Sequence, residues 1–334
     1  MTLTPGKLAG LKAVSDARGV IAAIAMDQRG SLARALAREH GVQPTDGMMR
    51  EVKALVTEVL TPFASAILLD PGLGLDAAAR RAAGTGLLLA YEQTGYDKTG
   101  PGRFPDLLDG WSVRRLTEAG ADCVKVVLYY SPFDPVSLNE RKHAWVERIG
   151  DECRALDVPF FLEFVGYDDD LDEKGLEYAK KKPAIVAGSI AEFTRDRYGA
   201  DVLKVEVPVN VRFVEREGVP GPFAYSRDEA TRHVAHAAAA ATKPFIYLSA
   251  GVTNAEFTEA LALAADAGAR YSGVLCGRAT WSAGLPAYAA GGEMSFRAWL
   301  ARDGVMNIQS VNRALSAATP WFQVYGAASA DALI

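Results

Sequence analysis

The segment DVLKVEVPV, residues 201–209, reads as a buried strand that carries two charges. Lys204 and Glu206 alternate with Leu203, Val205 and Val207, so the charges share one face and the aliphatic side chains the other. A buried ammonium group is rare unless it is paired or used. Three other stretches share this character. DCVKVVLYY (122–130) aligns Lys125 with Val127 and Tyr129, and VPFFLEFV (158–165) aligns Glu163 with Phe161 and Val165. VIAAIAMD (20–27) runs from Ala23 and Ala25 to Asp27. Two lysines and two carboxylates among apolar neighbours suit amine chemistry. A neutral lysine attacks a ketone and loses water, and the resulting iminium ion accepts the electrons of an adjacent carbon–carbon bond. Burial and a second ammonium group both favour the neutral amine. Glu163 would move protons, and Asp27 would hold one lysine in place. The alternative for Lys125 is an ion pair with Asp27 that serves stability alone.

The elements that must position these groups are eight short apolar runs: 20–27, 65–71, 86–92, 122–130, 158–165, 201–207, 244–250 and 271–277. Helical patterns separate most of them. One face of 47–63 carries Met48, Val52, Leu55, Val59 and Leu60, and one face of 137–157 carries Trp145, Ile149 and Leu156. Ser226 with Glu229 forms a capping-box signature, and a helix opening at Thr253 or Asn254 ends at Gly268. Alternating strand and helix implies parallel pairing through right-handed crossovers. Eight such units predict an α/β fold of the (β/α)8 TIM-barrel type. It would be a single domain over 1–334, with its barrel core at about 18–292, an extra N-terminal helix (Lys7 to Ala17) and a C-terminal helical extension. MDQRGSLARAL, which follows the first strand, has no Gly-x-Gly-x-x-Gly turn, so a dinucleotide fold is disfavoured.

A barrel collects reactive groups at the C-terminal ends of its strands. Here those ends carry Asp27, Asp70, Glu92, Lys125, Glu163, Lys204, Ser249 and Gly277 with Arg278. YLSAGVTNAEF and LCGRATWSAG follow the last two strands. Ser249, Gly251, Gly277 and Arg278, with a helix N-terminus, read as a phosphate cradle where barrels commonly hold one. Two long connections, 91–111 and 208–226, also belong at this mouth. A metal route is disfavoured, because His40, His143, His233 and His236 all lie away from strand ends. Cys276 lacks a histidine partner, and the three cysteines read as reduced and structural. A net charge of −5 gives no footprint for nucleic acid or an anionic membrane, and no run is long enough to span a bilayer. Cytoplasmic localisation is expected.

AMDQRGSL, VKVVLYY, FFLEFVGYD, DVLKVEVPVN, PFIYLSAGV and GVLCGRATW together resemble the tagatose 1,6-bisphosphate aldolase family, in order, over about residues 20–285. The lysine strand and the phosphate end also resemble the related sulfofructose-phosphate aldolases. The resemblance implies a class I, Schiff-base aldolase that needs no cofactor or metal. It implies Lys204 as the imine-forming residue and Glu163 as acid/base, with Lys125, Asp27 and Gln28 beside the reacting hydroxyls. Ser249, Gly251, Gly277 and Arg278 would bind the phosphate, and Leu275 would line the pocket. It also implies a phosphorylated-sugar substrate and a homodimer or higher homo-oligomer. Arg29, Arg103, Arg212 and Arg216 are candidates for a far-end phosphate or sulfonate, with Arg103 and Arg216 expected at the surface instead. Other readings are a 6-deoxy-6-sulfofructose 1-phosphate aldolase, a non-catalytic phosphosugar sensor on the same barrel, and a phosphosugar isomerase or epimerase. Glu206 is expected to shape the mouth or pair with a loop arginine.

Overall fold

The computed structural model describes residues 3–93 and 101–333. The stretch 94–100, within the long connection after the third predicted strand, lies outside the described residues. The eight apolar runs form strands β1 (Ile21–Ala25), β2 (Ala66–Leu69), β3 (Gly86–Ala90), β4 (Cys123–Tyr130), β5 (Phe160–Gly166), β6 (Val202–Glu206), β7 (Phe245–Leu248) and β8 (Gly273–Cys276). They close a parallel barrel in chain order, with β8 paired to β1. Each strand is shorter than its apolar run, and Asp27, Asp70 and Glu92 lie just beyond the ends of β1, β2 and β3.

Side-chain alternation sorts the residues as the sequence predicts. Ala23, Ala25, Ala66, Leu68, Leu88, Ala90, Cys123, Phe161, Val202, Ile246 and Leu275 fill the interior. Ile24, Ile67, Leu89, Val126, Leu162, Leu203, Val205, Tyr247 and Cys276 face the helical layer. Register then stacks the inward charges: Ala90 lies beside Lys125, Lys125 beside Phe161, and Glu163 beside Lys204.

The helices follow local rules. Helix α1 (Pro5–Ala13) is shorter than its predicted span and opens on proline, which has no N–H to leave unsatisfied there. Helix α2 is Gly30–His40, and α3 is Asp46–Leu60 with Thr45 as its cap. After α4 (Leu75–Ala78) and α5 (Val113–Glu118) comes α6 (Val136–Ala155). Its buried stripe runs through Lys142, His143, Val146, Ile149, Gly150 and Cys153. The predicted Trp145 and Leu156 are only half-buried, because they flank this stripe. Helix α7 is Leu176–Phe193. Both α8 (Arg227–Ala239) and α9 (Asn254–Asp266) carry complete capping boxes, from Ser226 with Glu229 and from Thr253 with Glu256.

The chain ends seal the molecule. Beyond the short α10 (Arg278–Trp281), the extension comprises α11 (Leu285–Trp299), α12 (Val305–Ala314) and α13 (Trp321–Val324). It does more than decorate. Asn254 at the start of α9 donates to Asn307 O (3.1 Å), and Asn312 donates to Phe63 O just after α3 (2.8 Å), so α12 bridges α9 to the α3 end of the ring. Leu8, Leu11, Val14 and Trp321, each 5% exposed or less, close the barrel floor. No described helix is long and apolar enough to cross a membrane.

Candidate active site

At the C-terminal end of the barrel lies a cavity of about 660 Å³. It is lined by Asp27, Gln28, Arg29, Glu92, Lys125, Glu163, Lys204, Glu206, Ser249, Gly251, Leu275, Gly277 and Arg278. Every residue to which the sequence assigns catalysis or phosphate binding therefore lines one cavity, whereas Asp70 and Arg216 do not. None of the four histidines lines it.

The core is a chain of opposite charges built on β1, β3, β4, β5 and β6. Lys204 Nζ donates to Glu163 Oε2 at 2.9 Å. The same oxygen lies 2.8 Å from Lys125 Nζ, which also donates to Asp27 Oδ2 at 2.9 Å and Glu92 Oε1 at 2.7 Å. Lys125 and Lys204 are 1% and 3% exposed. Burial opposes charge on Lys125, but Asp27, Glu163 and Glu92 outweigh it and hold its pKa well above the usual lysine value. Burial likewise raises Asp27, yet Lys125, Lys204 and the nearby Lys53 leave it well below the ordinary carboxylate range. Glu163 is lowered too, as its two lysines overcome burial. Glu92 goes the other way. Its burial dominates, Asp27 adds repulsion, and its carboxyl is raised despite Lys125.

The β7 and β8 turns form the second part. Gly251 has φ +76°, and an added Cβ would lie 2.7 Å from Arg278 Cζ. At this positive φ glycine is favoured, and its missing Cβ leaves room for the Arg278 guanidinium. A Cβ on Gly277 would lie 3.1 Å from Gln28 Nε2, which ties Gln28 to the same corner. Ser249 is 5% exposed, while Arg278 reaches solvent. The anticipated helix N-terminus is already engaged: the Thr253 side chain accepts from Glu256 N–H, and the Glu256 carboxylate accepts from Thr253 N–H at 2.8 Å. Cys276 faces outward, and its burial pushes the thiol up to about 12, so it does not supply a thiolate at neutral pH.

Several expectations need correction. Arg103 is not a surface charge. It is 8% exposed, lies 4.4 Å over the Tyr167 ring, and pairs with Asp169 at 3.1 Å and Glu173 at 2.5 Å. Arg216 does lie at the surface, paired to Glu259, and exposed Arg212 pairs with Glu256 at the cavity rim. Glu206 pairs with no loop arginine. It accepts from Gly166 N–H at 2.8 Å and contacts Lys182 of α7 at 3.1 Å, fastening β6 to the exit of β5. Asp70 does not join the site. It is fully buried with Lys53 of α3 at 2.7 Å, and Lys53 also donates to Met26 O and Gln28 O at 2.6 and 2.8 Å. Glu92 is the site residue to which sequence reasoning gave no role. The alternation Leu88, Ala90, Glu92 was its available signal.

A closed (β/α)8 barrel with paired interior lysines and a glycine–arginine corner at its last two strands has the architecture of a lysine-based lyase acting on an anionic substrate. The chain belongs to the DeoC/LacD family of aldolases, whose model matches residues 21–283. It is 48% identical over 326 residues to the tagatose 1,6-diphosphate aldolase of Listeria monocytogenes, covering 97% of this chain and 96% of that one. It is also 48% identical to tagatose 1,6-diphosphate aldolase 2 of Enterococcus faecalis, covering 96% and 97%. The Staphylococcus haemolyticus tagatose 1,6-diphosphate aldolase gives 48%, with 96% and 99% covered. Among solved structures, fructose-bisphosphate aldolase from Plasmodium falciparum superimposes with a TM-score of 0.66 at 14% identity, covering 96% and 97%. A Schiff base-forming fructose-1,6-bisphosphate aldolase gives 0.56 at 14%, covering 92% and 98%. Both likenesses concern the fold.

Proposed function

We propose that this protein is a class I aldolase that reversibly cleaves tagatose 1,6-bisphosphate to dihydroxyacetone phosphate and glyceraldehyde 3-phosphate. The observation that carries this reading is the bridge Lys204–Glu163–Lys125, with the shared carboxylate oxygen 2.9 and 2.8 Å from the two amines. The names of the 48% identical relatives support the substrate.

Glu163 takes a proton from Lys204, and the neutral amine adds to the C2 ketone. Protonation of the C2 hydroxyl by Glu163 lets water leave and forms the iminium ion. Glu163, again a carboxylate, takes the C4 hydroxyl proton, C3–C4 breaks, and the bond electrons move to the iminium nitrogen as an enamine forms. Glyceraldehyde 3-phosphate leaves, C3 of the enamine is protonated, and water releases dihydroxyacetone phosphate with the amine restored. Lys125, kept cationic by its three carboxylates, holds Asp27 ionised beside the imine and keeps Glu163 in place between the two amines. Ser249, Gly251, Gly277 and Arg278 bind the phosphate next to the ketone, Gln28 adjoins them, and Leu275 forms the wall below. Arg29 at the β1 exit is the far-end anion contact. Several C4 epimers are accepted where the hydroxyl contacts are loose. A homodimer or larger homo-oligomer in the cytoplasm completes this reading.

The test is reductive trapping. Incubation with dihydroxyacetone phosphate and borohydride should leave one covalent adduct, mapped to Lys204 by mass spectrometry. An adduct at Lys125 instead, no adduct at all, or full loss of turnover with a chelator would overturn the mechanism. A substrate panel checks the specificity, and a clear preference for 6-deoxy-6-sulfofructose 1-phosphate over the bisphosphates would overturn the choice of substrate.

A further inference from the structure

Glu92 is the least explained group in the cavity. It is 5% exposed, and its Oε1 accepts from Lys125. Its Oε2 is buried yet finds no hydrogen-bond partner among the described residues. An unmatched buried carboxylate oxygen is costly, so such an atom calls for a ligand. Two neighbours share its condition: Gln28 Oε1 and Arg29 Nε are likewise buried without a partner among the described residues, and both residues line the same cavity. Arg29 also donates to the Glu92 carbonyl at 2.5 Å, which fixes the backbone at the β3 exit. Arg29 and Glu92 therefore share one wall, at the exits of β1 and β3, while Gln28 also lies against Gly277.

The barrel order says what this wall meets. With eight strands in chain order, β2 stands across from β6, so the β1–β3 wall faces Lys204. The Ser249–Arg278 corner belongs to β7 and β8, next to the lysine strand. A ketose joined to Lys204 at C2, with its C1 phosphate in that corner, would run its remaining carbons away from the corner, towards Lys125 and Glu92 on the β3–β4 side. That part is the aldehyde half, and it is rich in hydroxyl groups.

We propose that Glu92 is a specificity-determining residue that contacts the substrate, its free Oε2 hydrogen-bonding a hydroxyl of the aldehyde half across from Lys204. This rests on the Schiff-base reading above and names the contact that reading leaves open. Glu92 then has two tasks on two oxygens: Oε1 anchors Lys125, and Oε2 reads the acceptor.

The two tasks separate in the synthetic direction. Dihydroxyacetone phosphate is combined with glyceraldehyde 3-phosphate or with 3-oxopropyl phosphate, which lacks only the hydroxyl. The readout is the ratio of kcat/KM for the two acceptors in the unmodified protein, Glu92→Leu and Glu92→Gln. The unmodified protein should favour the hydroxylated acceptor by about ten- to a hundredfold. Glu92→Leu should bring the ratio close to one, and Glu92→Gln, which keeps the shape and a polar group, should narrow it by several-fold. A ratio unchanged in both variants, however far the rates fall, overturns the proposal, because loss of the Lys125 anchor slows both acceptors alike. If Glu92→Leu fails to fold, the Glu92→Gln ratio decides in the same way. Trapping of dihydroxyacetone phosphate on Lys204 involves no acceptor. Its failure in the unmodified protein sinks the Schiff-base reading and leaves the ratio to speak for Glu92 alone.

Discussion

Two clusters of buried charge stand on opposite sides of the barrel wall near its mouth. Outside, between the sheet and α3, Lys53 meets Asp70 with both side chains fully buried. Its remaining hydrogen bonds go to the carbonyls of Met26 and Gln28. Inside, two lysines share three carboxylates, and one carboxylate oxygen serves both amines. The outer cluster is one cation to one anion and does not line the active-site cavity; the inner one is crowded, unequal in sign and open to about 660 Å³ of space. Burial of charge does not by itself mark a reactive site. A shared, over-subscribed set of partners beside a cavity does, because its protons can move and a substrate can reach them.

The sharpest break between the clusters comes from deleting a lysine in each. Lys204→Met should lower turnover by about four orders of magnitude or more while the thermal unfolding midpoint stays within a few degrees. Unfolding of this variant would make Lys204 structural. Lys53→Met should do the reverse. Leaving Asp70 buried without its partner costs about 3–5 kcal/mol, measured by urea unfolding, and Lys53→Met with Asp70→Leu should recover most of that loss. A next, smaller effect concerns the proposed phosphate corner. Gly251→Ala forces a Cβ onto the Arg278 guanidinium at a positive φ, a strain of about 1–2 kcal/mol. Steady-state kinetics should register it as a roughly tenfold rise in KM for phosphorylated substrates. The smallest effect is in the acid limb of stability. The Asp27 carboxyl is lowered in the folded state, so its contribution is complete above about pH 4 and fades as pH falls towards its folded value. The stability gap between the unmodified protein and Asp27→Asn should therefore close on acidification, and a gap that widens would contradict the charge assignments inside the barrel. Glu92 has the opposite sign: its raised carboxyl makes stability fall as pH rises through its titration.

The inner cluster is largely legible in the sequence, and the outer one is not. Lys125, Glu163 and Lys204 each follow an inward residue by two within an unbroken strand, so period-two counting suffices. Asp70 ends a run in the same manner as Asp27, and counting from Ala66 and Leu68 sends it inward. The strand stops at Leu69, however, and the turn in which Leu73 N–H and Gly74 N–H bond back to Asp70 aims its carboxylate at α3. No count within a strand foresees a turn. Arg103 illustrates a second limit. Nothing local in GPGRFPD announces a buried cation, because its carboxylates arrive 66 and 70 residues later. Glu206 is similar, since its lysine comes from a helix of lysine-rich sequence that reads as solvated.

The sealed floor has a consequence for traffic. With Leu8, Leu11, Val14 and Trp321 packed beneath the strands, the barrel is a blind well with one opening. Reactant and both fragments share that doorway. On the proposed route the ketone fragment stays bonded to Lys204 while the aldehyde fragment is free and nearer the rim. Departure therefore has a fixed sequence, aldehyde first, and a high concentration of free aldehyde should jam the well by competing with that step. The blocked floor, far from any reacting atom, is what turns a chemical order into a queue.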